Sequence, residues 1–569
     1  MPAGPEDERP VWRAAAVAVA TETRDRSADG SRRADVDALR LRDLGPHAQT
    51  AIAAAGVGVL TFVIGIAQRR GTLRLEPFFD EMWRIDLVRA ADPYEHALPG
   101  VTPIPPGWLN GIRVIEPLLG TSAVAYRLVA LALFAVGAAA LVVLLREWCR
   151  PLRPSPGSDA VALSTAAAAA VSFTVFAAFT ELTYFSQYLF EVGYAVVLTL
   201  CCVLIGRHRL AFSLFLVLAA GSPLFVLAPV ALLPPLFVVA TWWAVTADAG
   251  RRARRLLALA CAGIVGALIA TGLFAGVYSG MSDSRGLQAF WVNETLPGAH
   301  GDPLLVWRTV GHVGTGVFGI GTVTSVWAVV AAALLIGSFA VGAVTITRRW
   351  AWYPLLIGCG WVTMYLAALV SHGPVTPVRV TLGFYWIVYA TIALGAFYAL
   401  AWLLRRAGAR VGVQIGVIAA LLVVVIVGLW PAHSTADDSP FARGLLSDLE
   451  RVAVSQTRAN LVLSYHYMSH VYTHDRFVNR APSEREYVVR GQRGPRDQRL
   501  FDDVDALVRR YLPEGGTLWC VIPYALGPED SGRACKPAQG LQEIERHPGT
   551  QAWIIGFAVP PNGPGPRHA

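Results

Sequence analysis

The run Ser122–Leu145, SAVAYRLVALALFAVGAAALVVLL, decides the class of this protein. A helix needs about 20 predominantly apolar residues to cross the hydrocarbon of a bilayer, and this run is long enough. Arg127 is its only charged residue, and Arg146 follows directly after its end. The run therefore predicts a membrane-spanning helix that ends at an arginine.

Runs of this kind recur along the chain from about residue 48, separated by short polar breaks. Ser222-Pro223 predicts a tight turn between two of them, of which the first is short. We predict a polytopic α-helical membrane protein of about eleven transmembrane helices. The predicted spans are 48–67, 122–145, 159–180, 186–206, 209–221, 223–246, 256–278, 321–346, 351–370, 380–404 and 411–430.

The overall composition agrees with this class. Hydrophobic residues make up 54% of the 569 residues, only 15% are charged, and the mean hydropathy is +0.47. A soluble protein of this size needs a larger polar share to cover its surface. The formal charge of +8 does not indicate a nucleic-acid partner, because the arginines fall between the apolar runs.

The placement of the arginines predicts the orientation. They concentrate in alternate loops, which are therefore expected to be cytoplasmic. The arginines that define these loops are Arg146, Arg150, Arg153, Arg207, Arg209, Arg251, Arg252, Arg254, Arg255, Arg348, Arg349, Arg405, Arg406 and Arg410. The N-terminus is then cytoplasmic, and the large loops 68–121 and 279–320 lie outside the cytoplasmic membrane.

The chain divides into three parts. Residues 1–47 are polar and mixed in charge, which predicts a disordered cytoplasmic tail. Residues 48–430 form the transmembrane domain, and 431–569 have the composition of a small extracytoplasmic α/β domain. In this last part Asn460–Tyr465 and Thr517–Pro523 read as strands, and Asp502–Tyr511 as an amphipathic helix between them.

Seven cysteines form no CxxC or Cys/His metal spacing, so we predict no metal site from them. Cys520 and Cys535 both fall in the predicted outer domain, where a disulfide can persist. The alternative is two free thiols in its core. The other five lie in or beside apolar runs and are expected to pack as small hydrophobic residues: Cys149, Cys201, Cys202, Cys261 and Cys359.

The first outer loop carries two adjacent acids, Asp80 and Glu81, between Phe79 and Trp83. A carboxylate near an apolar boundary can have its proton affinity tuned, and it could then act as a general base on an acceptor hydroxyl. The alternative is that Asp80 pairs with Arg84 one helical turn later and anchors a juxtamembrane helix.

An ordered set of motifs over this part of the chain resembles the opening of the GT-C membrane glycosyltransferases. That superfamily includes protein O-mannosyltransferases, the lipid A aminoarabinose transferase and many actinobacterial relatives. Its members carry an acidic pair in the first outer loop, then a proline pair, a short Leu/Gly/Ser stretch and an arginine at the next span. The matching residues here are Asp80-Glu81, Pro105-Pro106-Gly107-Trp108, Leu118-Leu119-Gly120-Thr121-Ser122 and Tyr126-Arg127.

Two further patches are similar to the same family. Tyr184-Phe185-Ser186-Gln187 matches part of a stretch that opens a later span in these enzymes, and Arg379 resembles their outer-face arginine. The chain also departs from the pattern. Tyr188 stands where the family has an acid, no arginine follows it, and Thr102-Pro103-Ile104 replaces the acid before the proline pair.

The resemblance implies an inverting glycosyltransferase that uses a polyprenyl-phosphate sugar as donor. Asp80, or Glu81, would be the catalytic base. Arg379 and Arg127 would hold the departing phosphate, since a guanidinium binds phosphate by paired hydrogen bonds. A snorkelling interfacial arginine is the alternative for Arg379. The remaining candidates for substrate or donor contact are Gln187, Tyr184, Trp83 and Glu191, the last as an acid near the outer boundary.

The expected partners are the lipid-linked donor, an acceptor that is a protein, glycan or lipid, and the bilayer. No nucleic acid is expected. The sequence leaves open whether a divalent metal ion takes part. Two rival readings are a non-catalytic GT-C-like scaffold subunit, favoured by the departures above, and a lipid or polysaccharide transporter, which predicts charges deep within several spans.

Overall fold

The computed structural model describes only part of the chain. The described residues are 45–68, 88, 104–119, 123–151, 155–181, 187–278, 305–318, 325–371, 375, 381–429, 460–464, 486–490, 516–523, 541–548 and 552–558. The predicted N-terminal tail, apart from 45–47, and the predicted helix Asp502–Tyr511 lie outside them.

Long apolar helices account for most of the described residues. A 3-10 turn, Ala228–Leu232, separates α6 from α7, and a short π-helical end, Phe274–Tyr278, follows α8. The helices are α1 (Pro46–Gln68), α2 (Pro106–Leu119), α3 (Ala123–Cys149), α4 (Pro156–Glu181), α5 (Tyr188–Leu204), α6 (Arg209–Phe225), α7 (Leu233–Val245), α8 (Ala249–Leu273), α9 (Leu305–Phe318), α10 (Val326–Arg349), α11 (Tyr353–Ser371), α12 (Leu382–Arg406) and α13 (Val411–Leu429).

The predicted spans correspond to helices in the structure. Among the described residues, seven helices are long and apolar enough to cross a membrane, and four shorter apolar helices lie at the remaining predicted spans. The predicted turn at Ser222-Pro223 is wrong. Helix α6 continues to Phe225, and the chain becomes extended at Val226. Pro223 removes one backbone hydrogen bond just before this end of the helix, and the hydroxyl of Ser222 donates to the carbonyl of Leu218.

Small residues allow close helix crossings. A Cβ placed on Gly137 of α3 would lie 2.5 Å from the Cα of Gly193 in α5. Between α10 and α12, Gly342 lies directly against the carbonyl of Thr391, and Gly395 lies against that of Ser338. Because apolar side chains gain little by leaving lipid for protein, contacts of this kind are expected to hold helices together in a bilayer.

The contacts between helix ends agree with the predicted alternation of loops. Glu147, next to Arg146, forms an ion pair with Arg207 of another predicted cytoplasmic loop. Gly157, at the start of α4, lies beside Val411 at the start of α13. Helix ends assigned to the same side of the membrane thus meet in these contacts.

The C-terminal part contains a five-stranded sheet of order β2-β1-β3-β5-β4. Its strands are β1 (Asn460–Ser464), β2 (Glu486–Arg490), β3 (Thr517–Pro523), β4 (Gln542–Pro548) and β5 (Ala552–Ala558). β1 pairs in parallel with β2 and β3, whereas β5 is antiparallel to β3 and β4. The two predicted strands are confirmed as β1 and β3. Leu518, Trp519 and Cys520 are buried in succession, so β3 is covered on both faces.

The cysteines divide as expected in part. Cys149, Cys201 and Cys202 are free and buried, whereas Cys261 and Cys359 are free but lie on exposed helix faces instead of packing inside the bundle. Cys520 is disulfide-bonded. Cys535 lies outside the described residues, so the predicted pairing of these two stays a prediction.

Candidate functional site

Two of the motif patches, the proline-pair motif and the Tyr-Arg pair, meet at one end of the bundle. Trp108 of α2 and Tyr126 of α3 belong to one buried cluster, against which Phe190 of α5 packs. We call this set the loop-one cluster; its buried members are Val88, Ile104, Trp108, Leu109, Ile112, Tyr126 and Ala130. The cluster brings the proline-pair motif, the Tyr-Arg pair and the start of α5 together.

Helix α2 is held against the bundle through its first turn. Pro106 stands at its first position, where the missing N–H costs nothing. A Cβ on Gly107 would lie 2.9 Å from the carbonyl oxygen of Leu224 and 2.9 Å from the ring of Phe225. The glycine of the Pro-Pro-Gly-Trp motif therefore permits contact with the end of α6.

Arg127 follows Tyr126 in the first turns of α3 and is only 4% exposed. An arginine removed from water to this degree needs charged or hydrogen-bonding partners. Arg127 does make polar or electrostatic interactions. The structure thus places this predicted phosphate ligand inside the protein, beside the loop-one cluster.

Gln187 and Glu191 lie at the start of α5, and both side chains are fully buried. The carbonyl of Gln187 accepts the backbone N–H of Glu191 at 2.8 Å, which closes the first turn of the helix. Both residues make further interactions. Burying two polar side chains among apolar neighbours costs free energy, so this end of α5 is a candidate for a functional role.

One carboxylate oxygen of Glu191, Oε2, accepts the backbone N–H of Ala228 at 3.3 Å. Ala228 is the first residue of the 3-10 turn. A Cβ on Gly383, the second residue of α12, would lie 3.1 Å from the Cβ of Glu191 and 2.8 Å from Cδ of Pro229. Glu191 therefore lies where α5, the 3-10 turn and the start of α12 meet.

Several predicted site residues lie outside the described residues: Asp80, Glu81, Trp83, Tyr184 and Arg379. The described candidates are Arg127, Gln187 and Glu191, and all three are buried at helix starts. Their grouping near the loop-one cluster agrees with a common site, and the roles assigned to them stay predictions.

Sequence reasoning missed helix α2 and the parts of it that contact α3 and α6. A signal for it was present. Pro106 precedes apolar residues at 108, 109, 112, 115 and 119, which recur with helical spacing. Tyr194 was also missed: its hydroxyl donates to the carbonyl of Leu218 at 2.5 Å, and thereby ties α5 to α6.

Within the described ranges, no group of three or more His, Cys, Asp or Glu side chains is arranged to hold a metal ion. The question of a metal ion, which the sequence leaves open, is unchanged by this.

No protein-family model matches the chain, and no curated protein matches it. Among solved structures the chain is similar to ArnT from Cupriavidus metallidurans. The structure of ArnT bound to undecaprenyl phosphate is 14% identical, with a TM-score of 0.46, over 90% of this chain and 98% of that one. The apo structure is 15% identical, with a TM-score of 0.49, over 89% and 98%.

The chain is also similar to the oligosaccharyltransferase of Archaeoglobus fulgidus in complex with Zn and sulfate. That match is 13% identical, with a TM-score of 0.41, over 89% of this chain and 74% of that one. These likenesses are too distant to assign the chain to a family or an activity. At such identities they assign no residue a role.

Proposed function

We propose that the protein is an inverting glycosyltransferase that moves a sugar from a polyprenyl-phosphate donor to an acceptor hydroxyl on the outer face of the cytoplasmic membrane. The proposal rests on the residues of the chain rather than on its distant likeness to ArnT. One observation carries it: the motif patches around 105–108, 126–127 and 187–191 share one end of the bundle, with Arg127, Gln187 and Glu191 buried there.

In this proposal Asp80 removes the proton of the acceptor hydroxyl, and the hydroxyl oxygen attacks the anomeric carbon. The bond from that carbon to the phosphate oxygen breaks on the opposite face, and the lipid phosphate leaves with the electron pair. General-base catalysis of this kind contributes typically about 10²–10⁴-fold. Arg127 and Arg379 stabilise the charge that develops on the leaving phosphate.

A lipid-linked donor would explain why the protein has a large transmembrane domain. The tail of such a donor stays in hydrocarbon while its head reaches the outer face, where no nucleotide sugar is expected.

The test is sugar transfer in membranes from radiolabelled polyprenyl-phosphate sugars. We expect wild type to transfer label and Asp80→Asn, at equal protein level, to lose at least about 10²-fold in rate, as for the loss of a general base. Glu81→Gln assigns the base to one acid of the pair. Asp92→Asn is the matched control, since Asp92 is a carboxylate of the same loop outside the motif.

Two outcomes would contradict the proposal. Equal transfer by wild type and by both acid variants would show that the pair is an anchor. An absence of transfer by wild type from every donor would favour the scaffold or the transporter, and transport of labelled lipid into sealed vesicles then separates these two.

A further inference from the structure

Glu191 places a carboxyl group in the apolar interior, and a buried carboxyl group needs hydrogen-bond partners. Its side chain is fully buried in a helix that is otherwise rich in apolar residues. Moving a carboxylate from water into a protein costs several kcal/mol even after relaxation. A carboxyl group buried at this cost is therefore expected to have a structural or functional role.

One hydrogen-bond partner of this carboxyl group comes from the non-helical segment that follows α6. Val226 is extended, and the N–H of Ala228 begins the 3-10 turn after that segment. Oε2 of Glu191 accepts this N–H. An N–H at a break has no partner within the preceding helix, so a carboxylate from α5 satisfies a donor that would otherwise be costly to bury. The first turn of α5 itself also favours a negative charge.

The stem of Glu191 makes the second contact. Gly383 leaves no room for a side chain between Pro229 and the Cβ of Glu191, so the first turn of α12 lies directly on both. Thr381, just before this helix, is 4% exposed. Glu191 therefore links the 3-10 turn to α5 and also contacts the first turn of α12.

We propose that Glu191 is a positioning residue. Its carboxylate ties the 3-10 turn to α5, and its stem sets where α12 begins, directly after the segment that carries Arg379. The donor contact predicted for Glu191 stays a separate prediction. The effect on sugar transfer rests on the proposed function, whereas the effect on the start of α12 does not.

The rate at which a thiol at position 381 reacts with a maleimide tests this packing of the start of α12 without an activity measurement. Thr381→Cys is placed in a background with Cys261→Ser and Cys359→Ser, because these two cysteines are free and exposed. We expect slow reaction with a maleimide in lipid nanodiscs. Glu191→Leu removes the acceptor and should speed the reaction at least about tenfold, as expected when a closed segment opens locally.

Glu191→Gln separates the hydrogen bond from the charge. Its amide oxygen can accept the N–H of Ala228 at nearly the same volume, so labelling within about twofold of wild type is expected. Thr199→Val is the matched control. Thr199 is a fully buried polar residue of the same helix, and its hydroxyl donates to Ala195 in that helix.

Gly383→Ala keeps the proposal testable if Glu191→Leu fails to fold. The added methyl would displace the first turn of α12 from Pro229 and Glu191, so labelling should again accelerate. The proposal is overturned if Glu191→Leu and Gly383→Ala leave labelling unchanged, or if Glu191→Gln accelerates it as much as Glu191→Leu.

The kinetic consequence is measured separately. We expect Glu191→Leu to raise the donor KM about tenfold, equivalent to about 1.4 kcal/mol, with Glu191→Gln near wild type. An unchanged KM in Glu191→Leu overturns the link to donor binding. If wild type transfers no sugar, the proposed function fails, while the labelling result still decides the role of Glu191.

Discussion

Arg127 is the predicted phosphate ligand that the structure describes, and its burial makes its chemistry testable. A lysine keeps the charge but loses the planar, two-pronged guanidinium that matches phosphate. We expect Arg127→Lys to raise the donor KM about tenfold, as for the loss of one charge-assisted hydrogen bond. Transfer kinetics over a range of donor concentrations measure this change.

The control for Arg127 lies on the same helix. Arg146 is 5% exposed, almost as buried, and stands near the opposite end of α3. Arg146→Lys should leave the donor KM unchanged. Equal rises in both variants would mean that the substitutions act through the stability of α3 and not through the donor.

The sequence could indicate Arg127, Gln187 and Glu191 because charged or polar residues at the start of an apolar run stand out. It could not indicate what each one contacts. The bond from Ala228 to Glu191 joins residues that are far apart in the chain and depends on a break after Phe225, which the sequence suggested at Ser222-Pro223 instead. Proline marks a weak point in a helix, but the packing around it decides where the helix ends.

At the scale of helices, the crossing of α10 and α12 gives a second prediction. Gly342 has no space for a methyl group, because the carbonyl and Cγ2 of Thr391 occupy it. Gly342→Ala should therefore destabilise the protein by about 1–3 kcal/mol, the usual cost of overpacking. A lower melting temperature in detergent would measure this.

Gly337 supplies the comparison on the same helix. Nothing lies within 4 Å of a Cβ placed there. Alanine should instead stabilise the helix by up to about 1 kcal/mol, through its better helix propensity. If both alanine variants melt alike, the close approach of α10 and α12 does not contribute to stability.

The elements that the sequence predicted and those it missed differ in a physical way. Long apolar helices were predictable because a bilayer imposes length and composition on them. In the sheet, β1 and β3 are central and show apolar runs, whereas β2 and β4 are edge strands. β5, AWIIGFA, is the exception, because it is central and apolar and its strand pattern was missed. β4 reads QEIERHP, and such charged residues are typical of an edge that must not pair with other chains. The charged residues of β4 therefore hide the apolar alternation by which a strand is recognised in a sequence.

Across the whole molecule, the contacts between helix ends agree with the grouping of loops that the arginine pattern predicts, and the orientation itself stays a prediction. Gly157 meets Val411, so α4 and α13 start at the same end of the bundle. Helix α13 then runs to the other end, from which the C-terminal sheet follows. Because Cys520 of that sheet is disulfide-bonded, an oxidising compartment suits it.

This orientation predicts the labelling of single cysteines in intact cells, again with Cys261→Ser and Cys359→Ser. Gln542→Cys on the exposed edge strand should react with a membrane-impermeant maleimide. Gly250→Cys, beside the arginines after α7, should react only after the cells are made permeable. The reverse pattern would place Asp80 and the loop-one cluster in the cytoplasm. A donor whose head must reach the outer face could not then be the substrate, so this labelling result bears on the chemistry as directly as any active-site variant.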